Sequence, residues 1–201
     1  MDHELTVIGV VLAGGESRRF GSPKLFAKWG DTTFFEKAMN AIAPHSDGLV
    51  AVVREEWIKK LDQNHSYAAE LISDVEAFKG KGPLAGIYSA MMKRKGDYYL
   101  IIPCDMPIMT SYMYGKWLGF VYEDPKYDCI VPVLNGKVYP LNGLYKRTCL
   151  PEIKKNLMMD NLKVLSLLES KQTKYIEVQK EEARFFENVN TKEDLLNLSD
   201  E

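Results

Sequence analysis

Cysteine and histidine are scarce in this chain of 201 residues, which contains three of each. Cys104, Cys129 and Cys149 are odd in number and lack C-x-x-C spacing, so the sequence favours neither a disulfide framework nor a zinc site. The histidines are scattered and form no pattern typical of a ligand cluster or a catalytic dyad. We therefore expect a protein of a reducing compartment, the cytoplasm.

Long apolar runs and an excess of charge of one sign are also missing. No apolar segment approaches the ~20 residues that a membrane-spanning helix needs, and the first four residues, MDHE, are acidic rather than typical of a leader peptide. The formal net charge of −2 gives no broad attraction for nucleic acid or an anionic membrane. We expect neither as a partner, so an anionic ligand must meet a local group of cations.

The most informative stretch covers residues 6–24 and reads TVIGVVLAGGESRRFGSPK. Its apolar, β-branched segment Val7–Leu12 predicts a strand buried on both faces in a parallel sheet. Gly14-Gly15 ends the strand, and without Cβ atoms these residues let the backbone turn sharply and approach an anion. Arg18-Arg19 and Lys24 add cations at or just beyond the turn. Together these features predict a site for a nucleoside triphosphate.

Two common phosphate motifs are excluded by the spacing. Phe20 occupies the position of the second glycine of a P-loop starting at Gly15, and no Gly-Lys pair follows. Glu16 occupies the second glycine position of a G-x-G-x-x-G motif.

The apolar segments up to about residue 107 alternate between strand and helix patterns. Predicted strands cover 49–53, 71–72 and 97–103, and predicted helices cover 55–61, 83–94, 110–120 and a segment that ends near 43, capped by Thr32 or Thr33. This alternation favours a mostly parallel, Rossmann-like sheet flanked by helices, in an α/β fold. In such a sheet, ligands bind at the carboxyl ends of the strands.

The second half has a different pattern. Asn135-Gly136 predicts a hairpin turn after a strand over 129–134, and the returning strand 137–145 contains Pro140 and Gly143, which predict a bulge or an edge position. Further predicted elements are helices over 150–157 and 162–168, a strand over 175–178 and a final helix capped by Thr191 with Asp194. We expect one domain over residues 1–201, with a nucleotide-binding half to about 107 and an acceptor-binding half over about 108–201.

Two aspartates follow predicted strands and are candidates for ligand contacts. Asp105 lies between Pro103 and Pro107, and one such carboxylate is enough to seat Mg²⁺ when phosphates and water complete its shell. Its alternative role is to cap the next helix. Asp74 can accept hydrogen bonds from guanine or from a ribose diol, and it can equally be an ordinary loop residue.

Four motifs in the same order resemble the MobA family, the nucleotidyltransferases that guanylylate the molybdenum cofactor. They are the L-A-G-G-x-S-x-R-x-G-x-x-K pattern of residues 12–24, the G-P-L-A-G segment 82–86, the P-C-D-x-P segment 103–107 and the N-V-N-T segment 188–191. The resemblance covers about residues 7–196. One departure lies at Ser22-Pro23, where many relatives carry aspartate before the lysine, so the base preference stays open. Another is Tyr139-Pro140-Leu141, which stands where relatives have an H-P-T-like segment.

The resemblance implies Mg²⁺-dependent transfer of GMP from GTP to Mo-molybdopterin, with release of pyrophosphate. According to this resemblance, the residues that contact GTP are Leu12, Ala13, Gly14, Gly15, Lys24, Asp74, Gly82 and Asp105. It also implies catalytic roles for Asp105, Lys24 and Arg18, the metal on Asp105, and the acceptor on Asn188 and Asn190. Other proteins of molybdenum cofactor assembly are further partners on this reading. The alternatives are cytidylyl transfer to molybdopterin, nucleotidyl transfer to a sugar phosphate, and a GTP-binding adaptor without turnover.

Overall fold

A mixed β-sheet lies at the centre of the computed structural model, which describes residues 5–15, 17, 19–62 and 67–199. The strands in chain order are β1 (Val7–Leu12), β2 (Lys28–Trp29), β3 (Thr32–Thr33), β4 (Gly48–Val52), β5 (Ala69–Ile72), β6 (Tyr98–Pro103), β7 (Cys129–Leu134), β8 (Lys137–Val138), β9 (Gly143–Lys146) and β10 (Thr173–Glu177). The helices are α1 (Phe34–Ile42), α2 (Glu55–Asp62), α3 (Pro83–Lys93), α4 (Ser111–Glu123), α5 (Leu150–Met158), α6 (Val164–Glu169) and α7 (Lys192–Ser199).

The strand order of the main sheet is β10-β7-β9-β6-β1-β4-β5, and β8 pairs with β7. The pairs β1–β4, β1–β6, β4–β5 and β7–β10 are parallel, whereas β9 runs antiparallel to both of its neighbours. Strands β2 and β3 form a separate antiparallel pair. The predicted α/β fold is therefore confirmed, with a mostly parallel sheet and antiparallel pairing in the second half.

Two hydrophobic cores cover the two faces of the sheet, because alternate strand residues point to opposite sides. In β1, Val7 and Val11 face the core that includes α1 and α4, whereas Ile8 and Val10 face the core that includes α3 and α5. A strand buried on both faces needs a nearly continuous apolar sequence. That requirement explains why VIGVVL predicts β1 at its observed bounds.

The hairpin of the second half differs from one continuous returning strand. Val133 pairs with Val138 and Ile130 with Leu144, so β7 advances three residues while the returning chain advances six. The surplus residues bulge out between β8 and β9 because Pro140 has no backbone N–H for the ladder. The bulge is therefore observed. Strand β9 lies between β7 and β6, whereas β8 pairs only with β7 among the described residues, so an edge position holds for β8 and not for β9.

Local side-chain chemistry sets the helix starts. Thr33 caps α1 in a reciprocal pair with Glu36, and Thr191 and Asp194 form the expected pair before α7. Within the described ranges, no helix combines the length and the apolar character needed to cross a bilayer.

Candidate nucleotide site

The carboxyl ends of β1, β4, β5 and β6 meet along one edge of the sheet because these strands are parallel and adjacent. The residues that follow them line a cleft of about 710 Å³. We call one side the Lys24 end, made of Gly14, Gly15, Lys24, Asp105 and Asn190. The opposite side is the Asp74 end, made of Asp74, the loop Lys79–Gly82 and Gly86.

The Lys24 ammonium lies between two oxygens at its end of the cleft. Its Nζ donates to Asp105 Oδ2 at 3.2 Å and to Asn190 Oδ1 at 2.8 Å. Lys24 is only 8% exposed, and a buried ammonium requires such partners. Three residues that are far apart in the chain therefore form one charged centre.

The backbone of Lys24 is held by its neighbours. Ser17 Oγ accepts the Lys24 backbone N–H at 3.1 Å, and the Lys24 carbonyl accepts from the Ala27 N–H at 2.8 Å. Pro23 precedes it in an extended conformation, as the residue before a 3-10 turn over 24–26. Ser22-Pro23 thus leads into a well-defined turn that directs the lysine side chain into the cleft.

The segment before α7 brings Asn190 to this centre. The Val189 N–H donates to the Asp105 carbonyl at 2.9 Å, and the Val189 side chain is 1% exposed in a small core with Phe20 and Phe34. The Asp194 carboxylate accepts the backbone N–H of Asn190 at 2.7 Å and that of Thr191 at 2.9 Å. These bonds lower the pKa of Asp194. The backbone of Asn190 thus takes part in the cap of α7, while its side chain accepts the hydrogen bond from Lys24 in the cleft.

The oxygens around Lys24 suit a hard divalent cation. Asp105 offers a carboxylate and Asn190 an amide oxygen, which are the donor types that Mg²⁺ prefers. Among the described residues, no group of three or more His, Cys, Asp or Glu is arranged to hold a metal ion. A cation here would thus take most of its ligands from phosphates and water.

The glycine turn presents open space to the cleft. A Cβ at Gly15 would meet no atom within 4 Å, and one at Gly14 would meet only the Val52 carbonyl oxygen at 4.0 Å. Positive φ angles occur instead at Ser17 (52°) and Gly21 (77°). The two glycines therefore leave room for a ligand, rather than providing the sharp turn that the sequence suggested.

The Asp74 end is shaped by its backbone. Asp74 Oδ2 accepts the Gly80 N–H at 3.2 Å, and Gly80 and Gly82 have φ angles of +76° and +75°. Burial raises the pKa of the Asp74 carboxyl, against opposing effects of the Gly80 N–H and of Lys79. A Cβ at Gly86 would lie 2.9 Å from Leu12 Cδ2, so a small residue lets α3 pack tightly on β1.

Two lysines fasten the loop of the Asp74 end to other elements. Lys79 pairs with Glu55 of α2 at 3.3 Å. Lys81 turns away from the cleft and donates to the Leu157 carbonyl at 3.2 Å and to Asp160 Oδ1 at 2.8 Å, just past α5. The loop is therefore connected to the second half of the chain.

Most of the sequence-predicted site residues line this cleft. They are Leu12, Ala13, Gly14, Gly15, Lys24, Asp74, Gly82, Asp105 and Asn190, together with Arg19. Arg18 lies outside the described residues. Asn188 lines a separate shallow depression against α7, with Asp194 and Asn197.

Sequence reasoning missed several lining residues. Ser17, Arg54, Glu55 and Leu141 all reach the cleft. Arg54 and Glu55 follow β4, so the strand-end rule that found Asp74 and Asp105 could also have found them. Leu141 arrives through the bulge between β8 and β9. The signal for it was the Tyr139-Pro140-Leu141 segment, which the sequence shows only as a departure from the family pattern.

Cys104 also lines the cleft, next to Asp105. Burial, with a smaller effect of the Asp105 charge, raises the pKa of its thiol to about 12. This shift disfavours the thiolate, which is the nucleophilic form of cysteine.

Residues 9–174 match the model of the MobA-like NTP transferase domain. A probable molybdenum cofactor guanylyltransferase of Halalkalibacterium halodurans is 34% identical over 197 residues, covering 97% of this chain and 98% of the relative. One from a Geobacillus species is 37% identical and covers 91% and 93%. The crystal structure of molybdopterin-guanine dinucleotide biosynthesis protein A from Archaeoglobus fulgidus matches with a TM-score of 0.80 and 26% identity, covering 96% of this chain and 97% of that one.

Proposed function

This chain belongs to the MobA-like NTP transferase family, and from that premise we propose that it transfers GMP from GTP to Mo-molybdopterin and releases pyrophosphate. The observation that carries the proposal is the charged centre of Lys24, Asp105 and Asn190 at the carboxyl edge of the sheet. It combines a cation for phosphates with oxygens for a metal, in a cleft that is large enough for a nucleotide.

The reaction needs positioning and charge compensation rather than a protein nucleophile. An oxygen of the acceptor's phosphate attacks the α-phosphorus of GTP, and the bond from that phosphorus to the bridging oxygen of pyrophosphate breaks. Both substrates are anionic, so cations that hold them together lower the barrier. We assign Lys24 to the phosphates, with Arg18 and Arg19 as further phosphate contacts and the N–H groups of the glycine turn beside them. Arg19 lines the cleft. No general base is required.

Family members generally use a divalent metal, and we assign Mg²⁺ to Asp105, with Asn190 as the second oxygen. The ion supplies compensation of the charge on the phosphates when it is bound. Asp105 holds its place through its carbonyl bond to Val189 and through the two prolines that restrict its loop. The chain's own part is thus to present these oxygens at the end of β6.

Different parts of the cleft are assigned to different parts of the substrates. We assign Asp74 and Gly82 to the base or the ribose of GTP, because the half-buried carboxylate can accept two hydrogen bonds at the start of α3. The half beyond about residue 107 then serves the acceptor through Asn190 in the cleft. Asn188 would take part only if the acceptor also reaches the separate depression against α7. Further partners of the protein would be other proteins of cofactor assembly. Its location would be the cytoplasm.

Isothermal titration with GTP and with CTP, each with Mg²⁺ and with EDTA, tests the nucleotide assignment. We expect GTP-selective binding that weakens in EDTA. Preference for CTP would contradict the guanylyl assignment and favour a cytidylyltransferase.

A turnover assay with GTP and defined Mo-molybdopterin tests the reaction itself. Formation of the guanine dinucleotide product and pyrophosphate is the expected outcome. GTP binding without product would contradict the enzymatic role and favour an adaptor, and turnover with a sugar phosphate instead would contradict the acceptor.

A further inference from the structure

The Lys24 ammonium takes both of the oxygens that we assign to the metal. Its bonds to Asp105 Oδ2 and Asn190 Oδ1 are 3.2 and 2.8 Å long. An ammonium between a carboxylate and an amide oxygen satisfies the same donors that a hard cation would use. Lys24 and a metal would therefore compete for the same oxygens.

Charge makes this competition strong. The Lys24 side chain is 10% exposed and the Asp105 side chain 29%, so solvent screens the pair much less than it screens a surface pair. A divalent cation that entered beside the ammonium would meet like-charge repulsion. A cation can bind tightly only if the ammonium leaves.

The backbone of Lys24 is held by several contacts, whereas its side chain is long and unbranched. Its backbone is held by the Ser17 hydroxyl, by the Ala27 N–H and by the preceding Pro23. The four-carbon side chain beyond it is flexible. The ammonium can therefore change partners without any change in the position of the turn.

We propose that Lys24 acts as an internal counter-ion that occupies the metal position until nucleotide phosphates draw the ammonium away. This inference rests on the proposed function for the identity of the ligands. Metal and nucleotide binding are then positively coupled, because the phosphates provide a new partner for Lys24 and release Asp105 and Asn190 for the cation. The coupling disfavours occupation of the site by a metal alone.

Binding of Mn²⁺ to the nucleotide-free protein, followed by the EPR signal of free Mn²⁺, tests the proposal. We expect weak binding to the wild type and at least tenfold tighter binding to Lys24→Met, which frees the two oxygens. Lys24→Gln is a second variant, for use if the Met variant does not fold. It removes the charge, but its amide can still donate a hydrogen bond to Asp105. We expect it to bind Mn²⁺ more tightly than the wild type as well.

Lys79→Met is the matched control. It removes the same charge from the same cleft, but Lys79 pairs with Glu55 and Glu76 rather than with Asp105. We expect its Mn²⁺ affinity to stay within about twofold of the wild type, since an exposed charge has a small effect. The double variant Lys24→Met/Asp105→Asn should lose the gain, which locates the ion at Asp105.

Equal Mn²⁺ affinity of the wild type and both Lys24 variants would overturn the proposal, and so would an equal gain in Lys79→Met. The titration uses neither GTP nor acceptor. If the protein did not transfer GMP, the Mn²⁺ titration could therefore still be interpreted. If Lys24 did not compete with Mn²⁺, the outcome of the transfer assay would not change.

Discussion

The two ends of the cleft are built in different ways. At the Lys24 end, the side-chain bonds of Lys24 join residues 81 and 166 positions away in the chain. At the Asp74 end, Asp74 bonds to a backbone N–H six positions away, and the loop takes its shape from glycines at positive φ. One end depends on charges that the fold brings together, and the other on local backbone conformation. Substitutions at the two ends should therefore fail in different ways.

The largest expected effect is that of Asp105→Ala. Loss of the carboxylate proposed to bind the metal should reduce kcat by about a hundredfold to a thousandfold, the range seen when one charge-stabilising group is removed from an active site. Steady-state transfer assays and circular dichroism would measure activity and folding. The control is Asp124→Ala, which breaks a surface pair with Lys126. Full activity of the Asp105 variant would contradict its metal role.

The second expected effect separates the glycines of the two ends. Gly82→Ala should lower the free energy of unfolding by about 1–2 kcal/mol, because its φ of +75° is strained for a residue with a Cβ. Gly15→Ala should change it by less than about 0.5 kcal/mol, since its Cβ meets open space. Urea denaturation measures both. Equal losses would mean that the glycine turn also depends on its backbone conformation.

Asp74→Asn should weaken GTP binding by about fivefold, because one charged hydrogen-bond acceptor is lost. It should also stabilise the nucleotide-free protein at pH 7. Burial in the folded state raises the pKa of Asp74, so the folded protein binds the proton more tightly than the unfolded chain. The wild type therefore loses stability as the pH rises from the pKa of Asp74 in the unfolded chain to its raised pKa in the folded protein.

Urea denaturation between pH 3 and pH 7 checks the sign of this effect. The stability difference between Asp74→Asn and the wild type should vanish at the lowest pH, where Asp74 is protonated in both states, and should be largest at pH 7. A variant that is less stable than the wild type at pH 7 would show that the charged carboxylate stabilises the loop.

The smallest expected effect concerns Lys81, which fastens the loop of the Asp74 end to Leu157 in the last turn of α5 and to Asp160 just past it. Lys81→Met should raise the KM for GTP by about twofold to fivefold and leave kcat unchanged, because partly exposed ion pairs are weak. Lys155→Met is the control, since Lys155 pairs with Glu152 on α5 itself at 3.1 Å. A fall in kcat without a change in KM would place the effect of Lys81 at the Lys24 end.

Much of the first half could be predicted because its signals are local. The apolar run of β1, the proline that starts α3 and the cap of α1 each determine structure within a few residues. The bulge between β8 and β9 was harder to place. Pro140 predicts a break in the pairing. A Cβ at Gly143 would lie 2.6 Å from the Ile130 carbonyl oxygen, and this close approach arises from the pairing of β9 with β7, which is a long-range contact.

The same division holds for the site. Strand-end placement was enough to nominate Asp74 and Asp105, because parallel strands necessarily bring their carboxyl ends to one edge. Lys24 was nominated by its position beyond the glycine turn and by the motif that ends with it. Asn188 and Asn190 were equivalent on the sequence, and the structure places only Asn190 in the cleft lining. The selection between them follows from the burial of Val189 and from its bond to Asp105, which are both long-range contacts.

The sequence by itself determined most of the strand and helix segments, the Asn135-Gly136 turn and the set of polar residues at the strand ends. Each of these depends on steric and hydrogen-bonding preferences of neighbouring residues. Only the tertiary structure decided that Lys24 lies between Asp105 and Asn190. That arrangement requires an ammonium with few remaining contacts to water to find compensating oxygens, and the packing of three distant segments supplies them.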